Sequence, residues 1–115
     1  MAFSDAERAE NLASLKWFVE HRRPPESLRA EVDIGYSVVG HTVELFEIRP
    51  EWKDRSSTRH TPIARIRFFR SRDAWKLYWM RGDLKWYGYE PSEVHKSLRS
   101  ALHVVDADAY GCFFG

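Results

Sequence analysis

Hydrophobic positions recur every three or four residues near both ends of the chain and every two residues between them, which predicts two helices flanking a sheet. Ser4 and Glu7 have the spacing of a capping box, and Leu12, Leu15 and Val19 then repeat at helical intervals. This helix should stop near His21, Arg22 and Arg23, cations suited to a helix C-terminus, because Pro24 and Pro25 cannot continue it. Residues 25–31 leave room for one short helical turn. From Val32 the period becomes two, and residues 33–50 read as two strands joined at Gly40 and His41. A two-residue loop there puts Ile34, Tyr36 and Val38 on one face with Val43 and Leu45, a face that Glu47 and Arg49 extend.

Residues 51–60 are polar and without pattern, which marks a loop. Three further strands follow over residues 63–70, 75–81 and 84–90, separated by turns at Ser71-Arg72-Asp73 and Gly82-Asp83. After Pro91 and Ser92, the residues Val94, Leu98, Ala101, Leu102 and Val105 form the stripe of a helix packed on a sheet. The closing residues 109–115 are too apolar for a free end, so Phe113 and Phe114 should dock on the body of the protein. The fold class predicted is α+β: a five-stranded, mainly antiparallel meander packed by an N-terminal and a C-terminal helix. With 115 residues, 43% of them hydrophobic, one domain spanning residues 1–115 is expected.

The strand pattern also predicts register. A two-residue loop at Gly82 and Asp83 places Arg81 opposite Leu84, Trp79 opposite Trp86 and Tyr78 opposite Tyr87. The preceding turn places Phe68 opposite Trp75, Ile66 opposite Leu77 and Arg67 opposite Lys76. One face then holds Ala64, Ile66, Phe68, Trp75, Leu77, Trp79, Leu84 and Trp86, and reads as core. The other holds Arg65, Arg67, Phe69, Lys76, Tyr78, Met80, Lys85, Tyr87 and Tyr89.

Charge sharpens the interest of that second face. The net charge is +1, yet residues 1–48 carry five Lys/Arg against nine Asp/Glu, residues 49–87 eleven against four, and residues 88–115 two against four. A basic middle between acidic ends marks either an anion-binding face or segments that pair with one another once folded. Cations alternating with tyrosines suit a single-stranded nucleic acid, with bases stacked on rings and phosphates on Lys and Arg. The candidate binding residues are therefore Arg65, Arg67, Lys76, Tyr78, Lys85, Tyr87 and Tyr89. The same pattern also describes a solvated sheet face whose long side chains cover one another, and a protein-interaction or homodimer surface. A second candidate is a small anion pocket of Glu47, Arg49, Trp52 and Arg81 at the end of the sheet. Its alternative is a structural ion pair of Glu47 with Arg49, Arg65 or Arg81.

Other chemistry finds less support. The single Cys112 rules out an internal disulfide, and no Cys/His cluster has zinc spacing. His95 and His103 lie eight apart, too far along a helix to share a metal. No nucleophile motif or glycine-rich phosphate loop is present, so neither a cofactor nor a metal is expected. Asp33, Glu44 or Glu47 with Lys85 are the residue types of a metal-dependent hydrolase, but no spacing enforces their convergence. With no apolar leader and no membrane-length run, a cytoplasmic protein is expected. Arg81-Gly82-Asp83 reads as a hairpin turn rather than an adhesion tripeptide.

The stretches RRPPESLRAEVDIGY, FEIRPEW, WKLYWMRGDLKWYGYEP and YGCFFG, in this order from Arg22 to Gly115, resemble the bacterial domain-of-unknown-function family numbered 3024. The resemblance implies a small cytosolic protein, usually of this one domain, and carries no activity or catalytic residue. It directs attention to Arg49, Trp52, Trp79, Arg81, Asp83, Lys85, Trp86 and Tyr89.

Overall fold

The computed structural model describes residues 2–115. Helix α1 runs Asp5–Arg22, and its N-terminus is fixed by the expected capping box: the Glu7 N–H donates to Ser4 Oγ and the Ser4 N–H to Glu7 Oε1. Leu15 and Phe18 point into the core and Val19 packs at its edge, but Leu12 is 43% exposed. The buried stripe is centred on Ser14, Leu15 and Phe18, rotated from the spacing that Leu12 suggests. Arg70, in the 3₁₀ turn Arg70–Arg72 just past a sheet strand, reaches Glu7 with Nη2 to Oε1 at 3.0 Å. That bond, and after it the Ser4 N–H, lowers the Glu7 pKa from its ordinary 4.5 to about 2. A value depressed by folding contributes stability that is complete above about pH 4.5 and lost as pH falls through about 2. Glu7→Gln should flatten the acid limb of a stability-versus-pH curve in that window; an unchanged limb would show that the carboxylate is not ion-paired in solution.

A short 3₁₀ turn over Glu26–Leu28 leads into the sheet. Strands β1 (Asp33–Val39) and β2 (Thr42–Pro50) form the expected hairpin, with Val39 opposite Thr42, Val38 opposite Val43 and Tyr36 opposite Leu45. Strand β3 spans Thr58–Phe69 and begins earlier than the polar sequence suggests, so the connecting loop shrinks to residues 51–57. The extension is accommodated by a bulge: Leu45 faces Ala64 while Phe46 faces Pro62. Ile63 is the extra residue, which is why Ile63 and Ala64 are adjacent and both buried.

Strand β4 (Ala74–Met80) pairs with β3 in the expected register, Phe68 opposite Trp75, Arg67 opposite Lys76 and Ile66 opposite Leu77. Its far edge is shared by two short strands, β5 (Trp86–Gly88) and β6 (Val94–His95), with Pro91 in the turn between them. The sheet thus runs β1-β2-β3-β4-β5 with β6 also on β4, six antiparallel strands in an α+β fold. Strand β6 corrects the expected helix start. Val94 is exposed on a strand, and α2 covers Leu98–Ala107 behind the N-cap Ser97, which accepts from the Ser100 N–H. Leu98, Ala101, Leu102 and Val105 are all buried, as their spacing predicts.

Both helices contribute to one core with Val43, Leu45, Ala64, Ile66, Phe68, Trp75 and Leu77. Phe113 docks into it beside Tyr89, ring centroids 4.9 Å apart, and Arg22 stands 3.8 Å above the Phe114 ring.

Candidate functional site

The β4–β5 turn decides which side chains share a face. The expected two-residue loop requires positive φ near Gly82; instead Leu84 takes φ 64°, and Met80 faces Trp86, Trp79 faces Tyr87 and Tyr78 faces Gly88. The turn is held by its own side chain: Asp83 accepts the Lys85 N–H at 3.0 Å and the Tyr87 hydroxyl at 2.5 Å. The Tyr87 hydroxyl chiefly, then the Lys85 N–H, lowers the Asp83 pKa, and the same carboxylate raises that of Tyr87. A shift of one residue moves every following side chain to the opposite face. Trp86 therefore leaves the core for the solvated face, Tyr87 joins Trp79, and Tyr89 enters the core. Leu84, expected in the core, is 76% exposed. Leu84→Gly should raise stability by about 1 kcal/mol, read as a higher urea midpoint at unchanged slope, since glycine takes positive φ without steric cost. A lower midpoint would contradict this turn geometry.

The solvated face is consequently built from Arg65, Arg67 and Phe69 on β3, Lys76, Tyr78 and Met80 on β4, and Trp86 on β5, with Glu44 and Phe46 on β2. Both helices lie on the other side. Register sets these residues in rows across the strands. Glu44, Arg65 and Tyr78 are successive partners, and Thr42, Arg67 and Lys76 form the next row. Arg65 bonds Glu44 through Nη2 and Nε, and its guanidinium stands 4.9 Å from the Trp86 ring centroid. Lys76 reaches Glu93 at 3.0 Å and lies 5.2 Å from the Tyr78 ring. The repulsion expected between Arg67 and Lys76 is thus relieved by Glu93. Gly88 makes room for this, since a Cβ there would fall 2.8 Å from the Glu93 carboxyl carbon.

Arg67 is different. It is exposed, stands 4.9 Å from the Phe69 centroid, and shares that ring with Arg72 at 6.0 Å. Among the described residues neither guanidinium has a carboxylate within ion-pair distance. The two guanidiniums flanking one ring form the most anion-receptive corner of the face.

Of the candidate binding residues, Arg65, Arg67, Lys76 and Tyr78 lie together. Lys85 is exposed at the hairpin tip, and Tyr87 and Tyr89 lie on the opposite side through the register shift. Trp86 and Arg72 are the members that sequence reasoning missed; the Asp83-x-Lys85 spacing of a side-chain-closed turn is the signal that could have moved Trp86. Of the second candidate set, Glu47 and Arg49 meet each other. Arg49 Nε bonds Glu47 at 2.6 Å as the structural ion pair, and Trp52 is exposed beneath Lys53. Arg81 instead stands over Trp79 and Tyr87, at 5.3 and 4.8 Å, on a cleft of about 300 Å³ that also touches Tyr89 and Cys112.

The carboxylates considered for hydrolysis are each engaged by a different arginine: Asp33 by Arg23, Glu44 by Arg65 and Glu47 by Arg49. Partial burial of Asp33 opposes its ionisation, but the hydrogen bonds from Arg23 and the Ile34 N–H outweigh that and lower its pKa. Among the described residues no three His, Cys, Asp or Glu side chains converge as metal ligands. No helix among them is long and apolar enough to cross a membrane.

No curated protein and no solved structure matches the chain. The family model described as "Domain of unknown function (DUF3024)" matches residues 3–115, nearly the whole length, and the chain belongs to that family.

Proposed function

We propose that this chain is a non-catalytic binding module, one cytoplasmic domain that offers the open face of its sheet to an anionic partner, with single-stranded nucleic acid as the best fit. The observation that carries the reading is the Arg67–Phe69–Arg72 corner, two guanidiniums on one ring without a carboxylate partner, at one end of a face that continues along β4 through Tyr78 to Trp86 at the other. Phosphates would sit at Arg67 and Arg72 while bases stack on Tyr78, Trp86 and the Arg65 guanidinium plane.

A protein partner on the same face is the second reading. It is favoured by Glu44 and Glu93, which neutralise Arg65 and Lys76 and leave a surface rich in Trp, Tyr, Met and Arg.

Fluorescence anisotropy of labelled single-stranded DNA, single-stranded RNA and duplex DNA over a salt series separates the two. The nucleic-acid reading expects preference for single strands and affinity that falls with salt. Arg67→Ala/Arg72→Ala should reduce the log–log salt slope by about 1.4, at about 0.7 per phosphate contact. Trp86→Ala should cost about 1–3 kcal/mol of binding. Absence of binding even at low salt would refute the nucleic-acid reading and leave the protein partner.

A further inference from the structure

We infer that β1 is a self-association edge, along which a second copy of this chain continues the sheet in antiparallel register centred on Ser37. The two edges of the sheet are treated differently. Beyond β4 lie strands of three and two residues interrupted by Pro91, a short and broken edge that discourages pairing. At the other end β1 is seven residues long and contains neither Pro nor Lys nor Arg. It exposes Val38 at 45% and Val39 at 75%. Beside it, on the helix side, is an apolar groove of about 450 Å³ whose rim includes the exposed Leu12 with Tyr36 and Val38.

The hydrogen-bond pattern selects the occupant and the register. The Phe68 N–H donates to the His41 carbonyl, so odd positions of β2 face β3 and Thr42 and Glu44 face β1. Through the pairs Val39–Thr42 and Ser37–Glu44, the odd positions of β1 are used internally, and Ile34, Tyr36 and Val38 direct N–H and C=O outward. The Ile34 N–H is taken by its own Asp33 Oδ1 at 2.8 Å. Because β1 is the edge strand of the sheet, this alternation leaves the N–H and C=O groups of Tyr36 and Val38 without a ladder partner. Two copies related by a two-fold axis at Ser37 place Tyr36 opposite the second copy's Val38 and Val38 opposite its Tyr36. All four N–H and all four C=O groups are then satisfied by four reciprocal bonds, which an axis at Tyr36 would not achieve because it enlists the capped Ile34 N–H. The same register covers exposed Val38 with a tyrosine ring and sets exposed Val39 opposite Gly35. This association leaves the Arg67–Phe69–Arg72 corner uncovered and does not depend on the proposed ligand.

Sedimentation equilibrium of the full chain from micromolar to sub-millimolar concentration tests it. The expected mass is twice the 13.6 kDa of one chain at the upper end. Val38→Pro removes one outward N–H without touching the β1–β2 ladder, and should return the mass to that of one chain with an unchanged circular dichroism spectrum. Val38→Lys serves the same purpose should the proline variant not fold. Register is read by oxidation of Ser37→Cys in a Cys112→Ser background. A non-hydrogen-bonded pair brings Cα atoms to about 4.5 Å, within disulfide range, so a cross-linked dimer should form where Lys85→Cys in the same background gives none. A wild-type mass of one chain throughout, or a dimer that survives in a folded Val38 variant, would overturn the inference; equal cross-linking at positions 37 and 85 would overturn the register.

Discussion

Tyr89→Ala is expected to destabilise the fold by about 3–5 kcal/mol, the usual cost of deleting a buried aromatic ring. Tyr89→Phe should change stability by less than about 1 kcal/mol. The ring is 2% exposed and packs on Phe113, while the Tyr89 N–H donates to the Leu77 carbonyl at 2.9 Å. Its hydroxyl forms no hydrogen bond among the described residues, and burial raises its pKa, so the ring rather than the phenol is what the position uses. Urea unfolding followed by tryptophan fluorescence measures both variants. The outcome bears directly on the site, because an alternating pattern carried through Tyr78, Tyr87 and Tyr89 would make Tyr89 a binding residue. Unchanged stability with lost binding in Tyr89→Ala would place it on the open face and reject the observed β4–β5 register.

Asp108→Ala should cost about 2–4 kcal/mol, estimated from two backbone bonds to a charged acceptor at about 1.5–3 kcal/mol each, reduced for partial exposure. Asp108 ends α2 in the left-handed conformation, φ 44° and ψ 50°, which aspartate tolerates better than most residues. Its two carboxylate oxygens accept the Phe113 N–H at 3.0 Å and the Phe114 N–H at 2.9 Å. One side chain therefore both stops the helix and turns the following segment back so that Phe113 covers Tyr89. Asp108→Asn keeps one acceptor and the tolerance for positive φ, so its loss should be about half as large. A double-mutant cycle with Phe113→Ala checks the mechanism. If Asp108 acts by docking Phe113, the two losses should fall short of additivity by more than about 0.5 kcal/mol; full additivity would mean that the carboxylate acts as a helix stop alone.

Chemistry carried by neighbouring residues was legible directly. The Ser4–Glu7 capping box, the stop before Pro24, the hairpin at Gly40 and His41 and the buried stripe Leu98, Ala101, Leu102 and Val105 all depend on spacing within one element or one turn. The resemblance to the family was carried by four stretches in order, and the family model covers residues 3–115. The faces of β3 and β4 were legible because alternation there is unbroken from Ala64 to Trp79 and the turn between those strands keeps its parity.

Parity is also where the reading failed. Gly82 and Asp83 have the composition of a two-residue loop, yet positive φ falls at Leu84 because the Asp83 carboxylate gathers the Lys85 N–H and the Tyr87 hydroxyl, and burial of Tyr89 against Phe113 rewards the alternative register. Similarly, Val94 fits a helical stripe, but pairing of Val94 and His95 with β4 holds those residues extended until Ser97 can cap a helix. Local pattern by itself determined the two helices, five of the strands, the two-faced sheet and the basic-aromatic character of one face. The tertiary structure decided which rings that face contains, because strand parity is set by long-range burial, and which cations stay unpaired, because Glu44 and Glu93 reach Arg65 and Lys76 only across strands.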